Sequence, residues 1–287
     1  MSLELDPARA AAPPRSAATL VLLRDAGGGV EIFCVQRSRE SSFMGGAVVF
    51  PGGKVEASDR APGWEDVARF PAEMPAAWRD SDADARAAFV AACRETLEEA
   101  CIMHALPPIS HERAIGLRAS AGRSPLEDLL RGESLRLDAA ALVPFARWIT
   151  PAAESRRFDT RFFLARCPDG QEGAHDLRET VRSFWASAAD ILARFDAGEV
   201  TLFPPTHRTL EILAGARDVE EALAIGRAAC LDPICPQLVE HADAAGPTLA
   251  LVLPGDPEHD VRERRVPGGS RYVLRGTAWR SEDAPGA

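Results

Sequence analysis

Three glutamates crowd one short stretch of the chain, Arg94-Glu95-Thr96-Leu97-Glu98-Glu99. If that stretch is helical, the i,i+3 and i,i+4 spacings among the acids set like charges beside one another, and each such pair weakens the helix by ~0.2–0.5 kcal/mol. A cation relieves the repulsion. Arg94 reaches Glu98 at i+4, but one guanidinium does not neutralise three carboxylates. The remaining charge suits a hard divalent ion with oxygen ligands, Mg2+ or Mn2+. Read alone, E-x-x-E-E also describes a solvated acidic face. A second segment shifts the balance: Ala47-Val48-Val49-Phe50 is an apolar, strand-like run broken by Pro51-Gly52-Gly53. There the backbone can approach a ligand or metal closely, because no side chain intervenes.

The element that must carry the acids spans residues 82–103 and reads as one amphipathic helix. At about 100° per residue, Phe89, Cys93, Leu97 and Ala100 share an apolar arc, and Glu95, Glu98 and Glu99 gather on the opposite arc. Ser81-x-x-Asp84 supplies a helix-start signal. Upstream, residues 17–24 and 31–37 read as strands separated by Asp25-Ala26-Gly27-Gly28-Gly29, a hairpin-type turn. The next strand delivers the glycine bend.

The two segments resemble the Nudix hydrolase box, G-x5-E-x7-R-E-U-x-E-E-x-G-U, with U a bulky apolar residue. Arg94-Glu95, Glu98-Glu99 and Ile102 match its second half; Gly53, five residues and then Asp59 match the first, with Asp in place of Glu. Between Asp59 and Arg94 lie thirty-four residues where the pattern has seven. Such an insertion resembles one branch of the family, the peroxisomal coenzyme A diphosphatases and their bacterial relatives. Thr96 stands where the pattern has a bulky apolar residue, and Cys101 stands where it has the glycine that closes the helix in a left-handed cap.

The resemblance implies an α+β fold, the Nudix α/β/α sandwich with a mixed β-sheet. It implies metal-dependent hydrolysis of a nucleoside-diphosphate-X substrate at its diphosphate bridge, with coenzyme A or acyl-coenzyme A as the branch's candidates. Dinucleotides and nucleotide sugars are alternatives. By the same resemblance Glu95, Glu98 and Glu99 are metal ligands, Gly52 or Gly53 lends a backbone carbonyl, and Arg94 orients the glutamates. One of Glu95, Glu98 or Glu179 accepts the proton of the attacking water. Glu179 enters because it precedes a strand containing Trp185, the place from which a glutamate outside the box often returns to the metal. A non-catalytic Nudix-fold sensor is the competing class; sensors typically lose box glutamates, and this chain keeps all three.

Composition narrows the partners. A net charge of −10 argues against general affinity for nucleic acid or an anionic membrane, though not against a local basic pocket. Candidate phosphate contacts are Arg37, at the end of the second strand, and Arg156, Arg157 and Arg161, beside the loop 150–155. Residues 157–166 alternate with period two, the mark of a strand with one buried face. The six cysteines include no C-x-x-C and no accompanying histidine pair, so no zinc site is expected, and Cys34, Cys93 and Cys167 sit in apolar runs as reduced thiols. With no run of about eighteen apolar residues and no signal-peptide pattern, the expected compartment is the cytoplasm.

The expected organisation is a loose tail over 1–16, a Nudix domain over 17–240 and a small β-hairpin appendage over 241–287. Within the domain, an insertion (60–85) and helical additions (106–142 and 204–232) are expected. Trp64, Phe70 and Trp78 give the insertion something to bury, so it is read as a short-helix excursion over one side of the acidic helix. The insertion and the appendage are the two places where a homodimer contact could form. His207 is read as structural or substrate-facing.

Overall fold

The computed structural model describes residues 12–37, 46–78, 82–121, 123–174, 180–243 and 246–285. At its centre the strand Arg15–Ala26 runs through an eight-stranded mixed sheet. Its side chains alternate between two cores. Ala18, Leu20 and Leu22 pack with Phe89, Cys93 and Leu97 of the acidic helix, whereas Val21 and Leu23 pack with Ile191, Leu210 and Leu223 of three C-terminal helices. A strand covered on both faces needs an unbroken apolar run, which Leu20-Val21-Leu22-Leu23 supplies. Arg15 and Ser16, expected in the loose tail, already belong to this strand and pair with Phe158 and Asp159; residues 1–11 of that tail lie outside the described residues.

The sheet order is Thr180–Ser187, Gly29–Arg37, Arg15–Ala26, Phe158–Arg166, Val143–Ile149 and Pro233–Ile234. The central pair is parallel. The second strand pairs with the first only at Leu23–Ala26, where the hairpin turns. Along Ala17 to Thr19 its place is taken by Gly52–Lys54, with Thr19 opposite Gly52 and Ala18 opposite Gly53. The glycine bend is therefore woven into the sheet. Phe158–Arg166 is buried on both faces, with Phe163 and Leu164 both at 0% exposure, and not on one face as its alternation suggests. The sequence pattern misleads because Phe163 stands on the face assigned to polar residues.

The acidic helix is Asp82–Ala100. Unlike the amphipathic helix expected, it is buried almost all round: Ala87, Ala88, Phe89, Val90, Ala91, Ala92 and Cys93 are each 0% exposed. The insertion accounts for this. Trp64, Val67, Met74 and Trp78 join the same core as the helix, together with Leu117 and Leu130 from the helices that follow it. Those following helices, His111–Ala121 and Leu126–Gly132, make up the helical addition expected over 106–142. A three-stranded sheet of Ala68–Arg69, Arg136–Asp138 and Ala105–Leu106 stitches insertion and additions together. The helix stops at Ala100 because Cys101 takes the left-handed conformation, φ 54°, that glycine takes in the box pattern. Its N–H donates to Leu97 O at 3.1 Å. A side chain in that region costs ~1–2 kcal/mol. Thr96, at the apolar box position, satisfies its hydroxyl by donating to Ala92 O at 2.7 Å.

On the opposite side of the sheet lie the helices Ala188–Asp196, Pro204–Leu213 and Val219–Arg227. Ser187 caps the first by accepting from the Asp190 N–H, and Asp218 caps the third by accepting from the Glu221 N–H. Beyond them the expected hairpin is a four-stranded antiparallel sheet, Gln237–Asp243, Gly246–Val252, Arg271–Arg275 and Ala278–Glu282. The expected boundary at residue 240 falls inside its first strand. Leu251, Leu253, Tyr272 and Trp279 belong to the core of the C-terminal helices, so this sheet is packed into the body of the fold. His207 is buried there, its Nδ1 3.3 Å from the Tyr272 hydroxyl. The six cysteines are free, with Cys34, Cys93 and Cys167 buried. Among the described residues, no helix is long and apolar enough to cross a membrane.

Candidate functional site

Arg94 is the hub of the acidic cluster. Its Nε and Nη2 donate to Asp59 Oδ1 and Oδ2, both at 2.9 Å, and Nη2 also donates to the Lys54 carbonyl at 2.9 Å. Its Nη1 donates to Glu95 Oε1 at 2.9 Å and to Glu98 Oε1 at 3.5 Å. Burial works against the Arg94 charge, but Asp59, Glu95 and Glu98 outweigh it and raise its pKa. The thirty-four intervening residues thus leave the two box halves in direct contact.

The glycine bend meets the helix at this point. Gly52 N–H donates to Glu99 Oε2 at 3.0 Å. A Cβ at Gly53 would fall 2.3 Å from Glu95 Oε1, and one at Gly52 would fall 2.5 Å from the Ala18 carbonyl oxygen. Backbone forbids a side chain at Gly52, whereas a Cβ at Gly53 would displace the Glu95 carboxylate. Burial pushes the Glu95 carboxyl up to about 7, against the pull of Arg94 and with the push of Glu98. Burial raises Glu98 too, opposed by Arg94 and reinforced by Glu56 and Asp59.

These groups line one end of a cleft of about 1170 Å3. Its floor is one face of the sheet. Arg15, Ala17 and Thr19 of the central strand and Phe158, Thr160 and Phe162 of its parallel neighbour all line it, in register row by row. The acidic helix lies on the opposite face, and its carboxylates reach the cleft at the strand Gly52–Lys54, whose first two residues carry no side chain. Phe203 and Leu251, from the C-terminal helices and sheet, complete the wall.

Of the residues singled out in the sequence, Arg94, Glu95, Glu98, Glu99, Gly52, Gly53, Arg37, Arg156 and Arg157 line this one cleft. Arg161 does not. It is 1% exposed, donates to Ser16 Oγ at 3.2 Å and lies 3.9 Å from Asp159, because its parity on the strand is opposite to that of Phe158, Thr160 and Phe162. Glu179 lies outside the described residues. Sequence reasoning missed Glu56, Arg15 and the C-terminal part of the wall. An acid three residues past the glycine bend was a usable signal for Glu56; nothing local marked Phe203 or Leu251.

Among the described residues, no three acidic, histidine or cysteine side chains converge tightly enough to hold an ion; Glu95 is turned to Arg94 and Glu99 to the Gly52 N–H. The donor set nonetheless suits a hard divalent cation. Glu56, Glu95, Glu98 and Glu99 offer only oxygen, and burial, which raises Glu95 and Glu98, makes their charge costly without a cation beside it.

Comparison with known proteins gives a consistent picture. No family model matches the chain. It is 26% identical over 234 residues to the acyl-coenzyme A diphosphatase NUDT19 of Xenopus laevis, covering 67% of this chain and 61% of that protein. To the human protein of the same name it is 27% identical over 273 residues, covering 79% and 72%. The chain therefore spans about three fifths of the frog relative's length. A crystal structure of a Nudix hydrolase from Alicyclobacillus acidocaldarius superposes with a TM-score of 0.63 at 29% identity, over 74% of this chain and 96% of that one. With the mixed sheet, the glycine bend and the acid-bearing helix joined by Arg94, the chain has the α+β fold of the Nudix hydrolases and is similar to members of that family.

Proposed function

We propose that the protein hydrolyses the diphosphate bridge of a nucleoside-diphosphate-X molecule with the help of divalent cations, and that coenzyme A and its acyl thioesters are the first substrates to try. The observation that carries this reading is the gathering of Glu56, Glu95, Glu98 and Glu99 around the glycine bend at one end of a roomy cleft. The substrate class is suggested by the names of the relatives, acyl-coenzyme A diphosphatases. Glu95, Glu98 and Glu99 would hold Mg2+ or Mn2+, which would neutralise charge on the diphosphate oxygens and acidify the attacking water. The protein's own groups set the stage. Arg94, clamped by Asp59, fixes Glu95 and Glu98 against their mutual repulsion, and the Gly52 N–H fixes Glu99. One of Glu95, Glu98 or Glu179 would accept the proton of the attacking water. The deciding measurement is release of nucleotide product from coenzyme A, acyl-coenzyme A, dinucleotides and nucleotide sugars, with Mg2+, with Mn2+ and with a chelator. Turnover of at least one compound that chelator abolishes is expected; no turnover with either ion would end the proposal.

A further inference from the structure

The insertion between the two box halves ends far from where it begins. Just before its start Asp59 clamps Arg94 in the acidic cluster. Near its end the short turn Ala76–Trp78 is docked on the edge of the eight-stranded sheet made by Val143–Ile149 and Pro233–Ile234. Two hydrogen bonds make the attachment. The Trp78 indole N–H donates to Leu231 O at 3.1 Å, 153 residues along the chain, and Arg147 Nη1 donates to Ala77 O at 3.1 Å. Trp78 is 0% exposed, and its ring meets Phe163 edge-on with centroids 5.2 Å apart. Arg147 is fixed in turn by Asp159, through bonds of 2.9 and 2.7 Å.

Both anchors lead to the cleft. Arg147 and Trp148 are consecutive on one strand and so point to opposite faces of the sheet: Arg147 meets the insertion, and Trp148 lines the cleft. Their partners are Pro233 and Ile234, the two-residue strand that closes the sheet. So short an edge strand has few ladder bonds of its own, and its place depends on what grips its flanks. Leu231, two residues before it, is gripped by Trp78; Pro233 O accepts from Arg265 Nη1 at 2.5 Å, and Cys235 O lies 3.0 Å from His259 Nε2. Pro236, next in the chain, lines the cleft. None of these contacts touches the Arg94–Asp59 clasp or the Gly52–Glu99 bond that set the acids. The turn is placed to shape the wall and not the end where the acids gather, whatever the length of chain before it.

We infer that Trp78 is a positioning residue: through Leu231, and beside it through the Ala77–Arg147 bond, the closing turn of the insertion fixes the cleft wall of Trp148 and Pro236, and so sets how tightly substrate is held without entering the chemical step. The inference rests on the proposed hydrolysis for what is held, so its test has one arm that needs no turnover. Hydrogen exchange of the full chain, followed by mass spectrometry, reads the backbone at 231–236 directly. In Trp78→Phe, which keeps a ring against Phe163 but loses the indole N–H, exchange there should speed up about three- to tenfold, the scale of one hydrogen bond. Trp64→Phe is the matched control. It removes the same N–H and ring volume from the same core, but its indole donates to Ser58 O at 2.8 Å, away from the wall. It should lower the melting temperature comparably and leave exchange at 231–236 alone. The second arm is steady-state kinetics on coenzyme A, or on the dinucleotide or nucleotide sugar that the wild-type protein turns over best. KM should rise about three- to tenfold in Trp78→Phe with kcat within about twofold, the signature of lost uniform binding. Arg147→Lys, which keeps a charge for Asp159 but loses the donor to Ala77 O, should reproduce both effects. Unchanged exchange at 231–236, an unchanged KM in both variants, or the same KM rise in Trp64→Phe overturns the inference. Faster exchange in a protein that turns over no diphosphate sinks the hydrolase reading alone.

Discussion

Two buried arginines, Arg94 on the acidic helix and Arg271 in the C-terminal sheet, each grip an aspartate through two parallel hydrogen bonds. The distances are 2.9 and 2.9 Å to Asp59 and 2.9 and 2.7 Å to Asp256. The surroundings differ. Around Arg271 the charges close on themselves: Ser270 Oγ donates to Asp256 at 2.5 Å, and Glu258 takes up the guanidinium at 2.7 Å. Around Arg94 the acids outnumber the base, and Glu95, Glu98, Glu99 and Glu56 face a cleft. The same pair serves as a rivet where its partners hold only one another and as the base of a binding site where further acids face a cleft.

Breaking the buried Asp256–Arg271 pair should cost the most. Asp256→Asn leaves a buried guanidinium facing only the half-exposed Glu258 and should destabilise the fold by ~3–5 kcal/mol, read as a drop in urea midpoint. Acid should find the same weak point. Burial opposes the Asp256 charge, but Arg271 and Ser270 win and hold its carboxyl below the ordinary value of 3.8; Glu211 is likewise held below 4.5, by His207 and Arg208 against burial. A depressed folded-state pKa contributes stability that is present above the unfolded value and lost as pH falls through the folded one. The pH dependence of unfolding below about pH 4 should therefore flatten in Asp256→Asn, and an unchanged profile would remove Asp256 from the account.

The cleft-facing cluster should respond in activity. Glu98→Gln should lower the hydrolysis rate by ~10²–10³ while leaving stability unchanged or raised by the ~0.2–0.5 kcal/mol of relieved repulsion. Wild-type turnover by the purified variant would show that Glu98 is only a surface acid. Gly53→Ala is the gentler probe, since it displaces the Glu95 carboxylate without removing it. About a tenfold loss of activity is expected, with little change in melting temperature. Equal losses of stability and activity would mean that the bend serves the sheet alone.

Much of this contrast was legible in the residues themselves. The acid spacing and the paired glycines placed the helix and bend, because both are local signals: one is a charge repulsion that needs a cation, the other a backbone that needs open space. Local signals fail where a distant segment changes the environment. Trp64 and Trp78 turn the expected amphipathic helix into a buried one, and Phe203 and Leu251 bring the C-terminal helices and sheet to the cleft wall. Arg161 is a different kind of miss. Its parity against Phe158 and Thr160 was readable, but which face of the strand meets the cleft depends on neighbours far away in the chain. Cys101 shows the reverse: the helix end holds its left-handed turn even though the residue type argues against it.

The clasp between Asp59 and Arg94 makes the intervening stretch, in polymer terms, a closed ring whose length enters the folding free energy only logarithmically, at ~0.6 kcal/mol per doubling. Evolution can therefore lengthen or reshape it at small cost, so long as its two ends keep their grip on each other. For chains of this kind, a signature written with a rigid interval between acid and arginine measures the wrong thing. What persists is a handshake in space, and the count of residues between the hands is free to drift.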